Sequence, residues 1–239
     1  MRFIIMHKTN PHWEAGAIPS KELIGRVGTL LGQIAKAGVL LAAEGLRPSS
    51  EGVRIKFTAG QRIVVNGPFE RGNELPAGFS IVRGQSIDDA IEWASRQAEI
   101  LGDGEVDIRP VTEPWDLGMQ PRPAGAMRRY MVLRKATAAT EADVMPSSAQ
   151  QAGLSKLLDE TTRTGVHLGT ETMRPSERGR RYKNSRDGIS VVDGPFIESK
   201  ELVGGYVVVS AESLDDACRW ADAYIAVVEA DEVDVRELF

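Results

Sequence analysis

The chain has 239 residues, 42% hydrophobic and 26% charged, with a net charge of −5. This composition is that of a soluble globular protein, one large domain or two of ordinary size, and the negative balance argues against broad nucleic-acid binding. A single cysteine, Cys218, excludes an internal disulfide framework and argues against a thiolate metal site.

From the N-terminus, Phe3-Ile4-Ile5-Met6 is an apolar run short enough for a buried strand. It is too short for a secretory signal, and no later run nears the roughly 18–20 apolar residues of a membrane span, so a cytoplasmic protein is expected. A polar loop over 8–19 follows. Ser20 then starts a helix, with Leu23, Val27, Leu30, Leu31 and Ile34 at helical spacing and Gly38 as its C-terminal cap. A second strand over 39–46 leads into Arg47-Pro48-Ser49. Segments 53–57 and 61–66 read as a β-hairpin turning at Ala59-Gly60. Gly67-Pro68-Phe69 stops that strand abruptly, because proline fixes φ and removes a donor. A strand over 78–82 follows. Ser86 and Asp89 then frame a capping box for a helix whose buried face carries Ile87, Ala90, Ile91, Ala94, Ala98 and Leu101. The strand 105–111 closes the segment.

The same pattern then recurs. Residues 2–112 laid over 129–239 give 37 identities in 111 positions without a gap, at an offset of 127. Val64-Val65-Asn66-Gly67-Pro68-Phe69 returns as Val191-Val192-Asp193-Gly194-Pro195-Phe196. Arg47-Pro48-Ser49 returns as Arg174-Pro175-Ser176, and the hairpin turn as Asp187-Gly188. This is a tandem duplication, with copies at 1–118 and 128–239 joined by a proline-containing linker at 119–127. The element order of each copy predicts an α+β fold of two tandem ferredoxin-like (split βαβ) domains, each an antiparallel sheet with two helices on one face. The uncovered face calls for a partner, so pairing within the chain, or a homodimer, is expected.

The strand-stop motif, the Glu-x-x-Arg-Pro-Ser block at Glu44 and Glu171, and the Asp-Asp-Ala-x-x-Trp helix at Asp88 and Asp215 give the sequence its family likeness. It resembles the YCII-related, or DGPF-domain, family over nearly its whole length. The resemblance implies a dimeric α/β-barrel arrangement, here as a tandem pseudo-dimer. It implies little about activity. Some members carry a His-Asp pair proposed as an active site, and some are labelled transcription-initiation proteins. The first helices, 20–36 and 148–163, contain no histidine, so that pair does not transfer, and Asn66 replaces the motif aspartate in copy one.

Charges kept in both copies are the candidate ligand-binding set: Lys8, Glu14, Glu44 and Arg47, with Lys135, Glu141, Glu171, Arg174 and, at the last strand, Arg236. Glu44 and Arg47 would pair across a cleft and hold an anion through the guanidinium, or form a structural ion pair. No catalytic group is assigned. Asp193 is the one candidate, and Asn66 at its counterpart favours a turn-forming role instead. His7, His12 and His167 are not equivalent in the repeat and suggest no metal site, and no cofactor is expected. The basic stretch from Arg174 to Arg186 reads as a solvated hairpin. Three functions stand: a small-molecule-binding protein with an organic or anionic ligand between paired sheets; an enzyme of the same architecture doing proton transfer or rearrangement; and a transcription-linked regulatory partner.

Overall fold

A computed structural model describes residues 1–239 apart from Arg71 and Asp187. The first copy contains β1 (Arg2–Lys8), α1 (Pro11–Glu14), α2 (Lys21–Lys36), β2 (Leu40–Gly45), β3 (Val53–Thr58), β4 (Gln61–Asn66), β5 (Pro76–Gly84), α3 (Ile87–Leu101) and β6 (Gly104–Pro110). The second repeats it as β7 (Arg128–Lys135), α4 (Ala138–Glu141), α5 (Ser148–Arg163), β8 (His167–Thr172), β9 (Gly179–Ser185), β10 (Gly188–Asp193), β11 (Val203–Ser210), α6 (Leu214–Val228) and β12 (Glu232–Glu237). The capping box at Ser86 and Asp89 forms as expected. The expected 8–19 loop contains α1, because the Asn10 side chain accepts from Trp13 N–H and Pro11 suits the first helical turn. The Asp187-Gly188 turn falls partly outside the described residues.

Two antiparallel six-stranded sheets form, in the orders β10-β9-β12-β1-β11-β2 and β4-β3-β6-β7-β5-β8. The fold is α+β and ferredoxin-like. Each sheet, however, draws on both copies. One compact unit holds Met1–Gly45, Arg71–Glu74 and Met173–Phe239, and the other holds Leu46–Glu70 and Leu75–Thr172. The spatial units therefore exchange their β-α-β openings relative to the sequence repeat. One physical reason lies in the linker: β6 and β7 are consecutive strands, and antiparallel neighbours need only a reversing connection. Their ladder runs from Val106 opposite Arg134 to Pro110 opposite Tyr130. The 111–127 connection is tied down by Arg129 Nε donating to Glu113 Oε1 at 2.9 Å and Arg128 Nη2 to Asp116 Oδ1 at 2.6 Å.

In the first unit, α2 and α6 pack on the sheet through Leu30, Ile34, Ala217, Ala221 and Ile225, against Phe3, Ile5, Val207 and Val235. In the second, Ala90, Trp93, Ala94 and Leu157 from α3 and α5 meet Ile55, Val82, Ile108, Tyr130 and Val132. Alternation along β1 and β7 therefore sends Phe3, Ile5 and His7, or Tyr130, Val132 and Arg134, towards the helices. Lys8 and Lys135 point the other way.

Candidate functional site

The duplicated motifs interlock. Phe69 N–H donates to Ser49 Oγ at 3.2 Å, and Phe196 N–H donates to Ser176 Oγ at 2.9 Å. Both serines are buried. The Gly-Pro bonds at 67–68 and 194–195 are both cis. A Cβ on Gly67 would lie 1.7 Å from the Ser49 carbonyl oxygen, and one on Gly194 would lie 1.8 Å from that of Ser176. Only glycine fits this approach. Gly-Pro-Phe and Arg-Pro-Ser, far apart in sequence, are two halves of one clasp.

Each clasp ends on a buried charge cluster. The Arg54 guanidinium lies 4.7 Å from the Phe69 ring centroid, and that of Arg181 4.3 Å from Phe196. Arg54 donates from Nε to Asp107 Oδ1 at 2.7 Å and from Nη2 to Oδ2 at 2.9 Å. Arg181 holds Asp234 in the same way, at 2.6 and 2.9 Å. Each aspartate then meets a lysine from the other copy: Lys135 reaches Asp107 at 2.9 Å, and Lys8 reaches Asp234 at 3.1 Å. Burial is the largest influence on Asp234 and pushes its carboxyl up, but Lys8 and Arg181 outweigh it and hold the group below the usual range. The arginines and aspartates of these clusters were absent from the expected binding set. Their recurrence at offset 127 was the available signal.

The remaining expected residues scatter. Arg47 donates from Nε to Glu51 Oε1 at 3.1 Å, so the anticipated Glu44–Arg47 pair is not the one formed. Local geometry explains this, since Glu51 lies one helical turn from Arg47 and Glu44 is on β2 in the other compact unit. Arg174 stacks over the Phe239 ring at 3.7 Å, and the buried Arg236 donates to the Arg174 carbonyl. Glu44 and Glu171 lie opposite Tyr206 and Phe79 in the strand ladders, while Glu14 and Glu141 end α1 and α4. Asp193 is largely exposed and accepts from Arg180 Nε at 2.7 Å. The basic stretch is not simply solvated: Arg181 and Tyr182 are buried, and Arg180 binds both Asp193 and Asp215.

The helix-facing sides of the two sheets carry different polar groups at equivalent positions. In the first unit, His7 Nδ1 lies 2.8 Å from the buried Tyr224 hydroxyl, and Gly204 and Gly205 approach the imidazole closely. In the second, Arg134 replaces His7 and the buried Gln97 replaces Tyr224. Arg134 Nη2 lies over Gly78, 2.9 Å from where a Cβ would stand. Burial alone shifts this guanidinium, pulling its pKa down, and no carboxylate among the described residues offsets it. Arg134 was not anticipated. Its signal was a charge at the position that continues the helix-facing series of Tyr130 and Val132 along β7.

Beside it runs a chain of hydroxyls ending at a histidine. Ser80 Oγ is 2.8 Å from Thr170 Oγ1, which is 2.7 Å from His167 Nε2. His167 Nδ1 is 2.9 Å from Thr162 Oγ1. The imidazole stacks on Trp93 at 5.9 Å, and Trp93 Nε1 donates to Thr161 Oγ1 at 3.2 Å. Desolvation lowers the His167 pKa, favouring the neutral ring.

The sequence profile of the YCII-related domain matches residues 1–115 and again 128–239. The chain belongs to the YCII-related domain family. Comparison with curated proteins gave no match. Both YCII-related segments span the interlocked motifs and the charge clusters, so the clasp lies within the family's domain. Among the described residues, no cluster of three or more His, Cys, Asp or Glu is placed to hold a metal. No helix of the described residues is long and apolar enough to cross a membrane.

Proposed function

We propose that this YCII-related protein binds a small organic anion on the helix side of the second unit's sheet, with Arg134 as the anion-recognising group. The observation that carries the reading is the Arg134 guanidinium lying over Gly78 on the helix-facing side of the sheet, its Nη2 2.9 Å from where a Cβ would stand, with no ion pair to a carboxylate among the described residues and with burial pulling its pKa down. A buried charge is costly unless it is paired, and a planar guanidinium suits a carboxylate. Of the cations first expected to hold a ligand, Lys8 and Lys135 are matched by Asp234 and Asp107 and Arg47 by Glu51, while Arg174 lies over the Phe239 ring and Arg236 donates to the Arg174 carbonyl. That favours Arg134 over a site built from the repeated charges.

The test is calorimetric titration with formate, acetate, butanoate, benzoate and inorganic phosphate. At least one of the carboxylates is expected to bind wild-type protein, Arg134→Lys to weaken that binding, and Arg134→Met to abolish it without altering the circular dichroism spectrum. Equal binding by wild type and Arg134→Met, or no binding of any probe, would overturn the proposal.

A further inference from the structure

The hydroxyl chain next to Arg134 gives the same site a second recognition element. Gly78 stands opposite Arg134 in the ladder, and Ser80 stands opposite Val132, two residues along the same face. Such diagonal neighbours are roughly 7–8 Å apart, a distance that a ligand a few atoms long can span. Thr170 stands opposite Ser80 on the far side, and Ser80 itself is buried. Arg134 and Ser80 are thus on one face of adjoining strands, with Gly78 removing the side chain that would separate Arg134 from β8.

The protons in this chain can be arranged in two ways. With Nε2–H on His167, the ring donates to Thr170, Thr170 donates to Ser80, and the Ser80 proton is left to donate onward. With Nδ1–H, the ring donates to Thr162, Ser80 donates to Thr170, Thr170 donates to Nε2, and Ser80 offers its remaining lone pair. A neutral imidazole supports both tautomers, and each hydroxyl has one proton and two lone pairs. Ser80 can therefore serve as donor or acceptor without any group in the chain losing its partner. A fixed donor or acceptor would select one partner type. This one accommodates either an alcohol or a carbonyl oxygen.

The repeat supplies an internal comparison. The positions of Thr162, His167, Thr170 and Ser80 are Ala35, Leu40, Ala43 and Val207 in the other unit, all apolar. The helix–sheet layer therefore packs without a hydroxyl chain at these places. Four polar groups have been placed together in the one unit whose β1-equivalent strand also carries Arg134.

We infer that the ligand is a hydroxy or oxo carboxylate, its carboxylate on Arg134 and its second oxygen on Ser80, and that the chain binds one such molecule. The inference rests on Arg134 being the anion site. Ser80 contacts the ligand, and Thr170 and His167 are positioning residues that set its proton.

The test is calorimetric titration of the full chain with butanoate, 2-hydroxybutanoate and 2-oxobutanoate. The oxygenated acids are expected to bind about tenfold more tightly than butanoate, the scale of one well-formed hydrogen bond, with one site per chain. Ser80→Ala should bring the two oxygenated acids down to the level at which that same variant binds butanoate, removing the preference. Thr170→Val, close in volume, should reduce the preference in the same way, which a purely structural role would not do. Butanoate binding with no preference for the oxygenated acids, or a preference that survives both substitutions, overturns this inference and leaves the Arg134 reading standing. Failure of all three acids to bind overturns this inference, and overturns the Arg134 reading as well if formate, acetate, benzoate and phosphate also fail to bind. Two sites per chain would contradict the confinement to one unit.

Discussion

The Nζ of Lys8 lies 3.1 Å from Oδ2 of Asp234, so the first strand of one repeat neutralises a charge on the last strand of the other. The mirror contact, Lys135 to Asp107 at 2.9 Å, is made in the second unit. All four side chains are buried. These pairs exist only because the β-α-β openings are exchanged. A lysine retained at the end of the first strand in both copies thus finds its aspartate in the copy it does not belong to.

Asp234→Asn should cost about 3–5 kcal/mol, because Lys8 and Arg181 would then be buried cations without their shared carboxylate. Urea unfolding at pH 7 measures this. A loss under about 1 kcal/mol would mean the pair is not buried as described. The pH response follows from the depressed native carboxyl. Its contribution is complete above the unfolded aspartate value of about 3.9 and is lost as pH falls through the lower native value. Wild type should therefore lose stability in that acid window, and Asp234→Asn should show a shallower decline there.

Within the strand-stop motif, neighbouring residues should respond very differently. Gly194→Ala places a methyl group 1.8 Å from the Ser176 carbonyl oxygen, which neither backbone can absorb in place. A loss of at least about 1–3 kcal/mol, or no folded protein, is expected. Asp193→Asn, at an exposed residue whose counterpart is already Asn66, should change stability by no more than about 1 kcal/mol. Thermal melts of the two variants decide the matter. A large loss for Asp193→Asn would show that the carboxylate does more than pair with Arg180.

Cutting the exposed part of the linker should not separate the two halves. Residues 120–125 are exposed, so a protease site engineered there is accessible. After cleavage, β7 would still be bonded to both β5 and β6, and β1 to both β11 and β12. Size-exclusion chromatography should show the fragments eluting together. Residues 1–119 expressed alone lack β7 and β8 and should not give a stable monomer. Free halves after cleavage, or a monomeric folded 1–119, would contradict the exchanged arrangement.

The elements themselves were legible because local patterns determine them. The Ser20 and Ser86 caps, the helical spacing from Leu23 to Ile34, and the stop at Gly67-Pro68 each act over a few residues. Alignment of the repeat also exposed the departure of Asn66 from Asp193. The meaning of Arg134 was not legible. A charge within Tyr130-Met131-Val132-Leu133-Arg134 reads as the end of a strand until the neighbouring side chains are known. The Ser80–Thr170–His167 chain was hidden for a similar reason, since β5 and β8 belong to different copies and nothing local links them.

By itself, the sequence determined the duplication, the strands and the two long helices of each copy, and the family. These follow from periodicity, caps and identities read along the chain. Tertiary structure alone decided which copy completes which sheet, because the two openings are similar enough in pattern for either to fit. It also decided which charges are satisfied. Lys8 and Lys135 look like ligand-binding cations until Asp234 and Asp107 are seen beside them, whereas no carboxylate among the described residues offsets the burial of Arg134. Electrostatic worth depends on distance and burial, and neither is written in residue order.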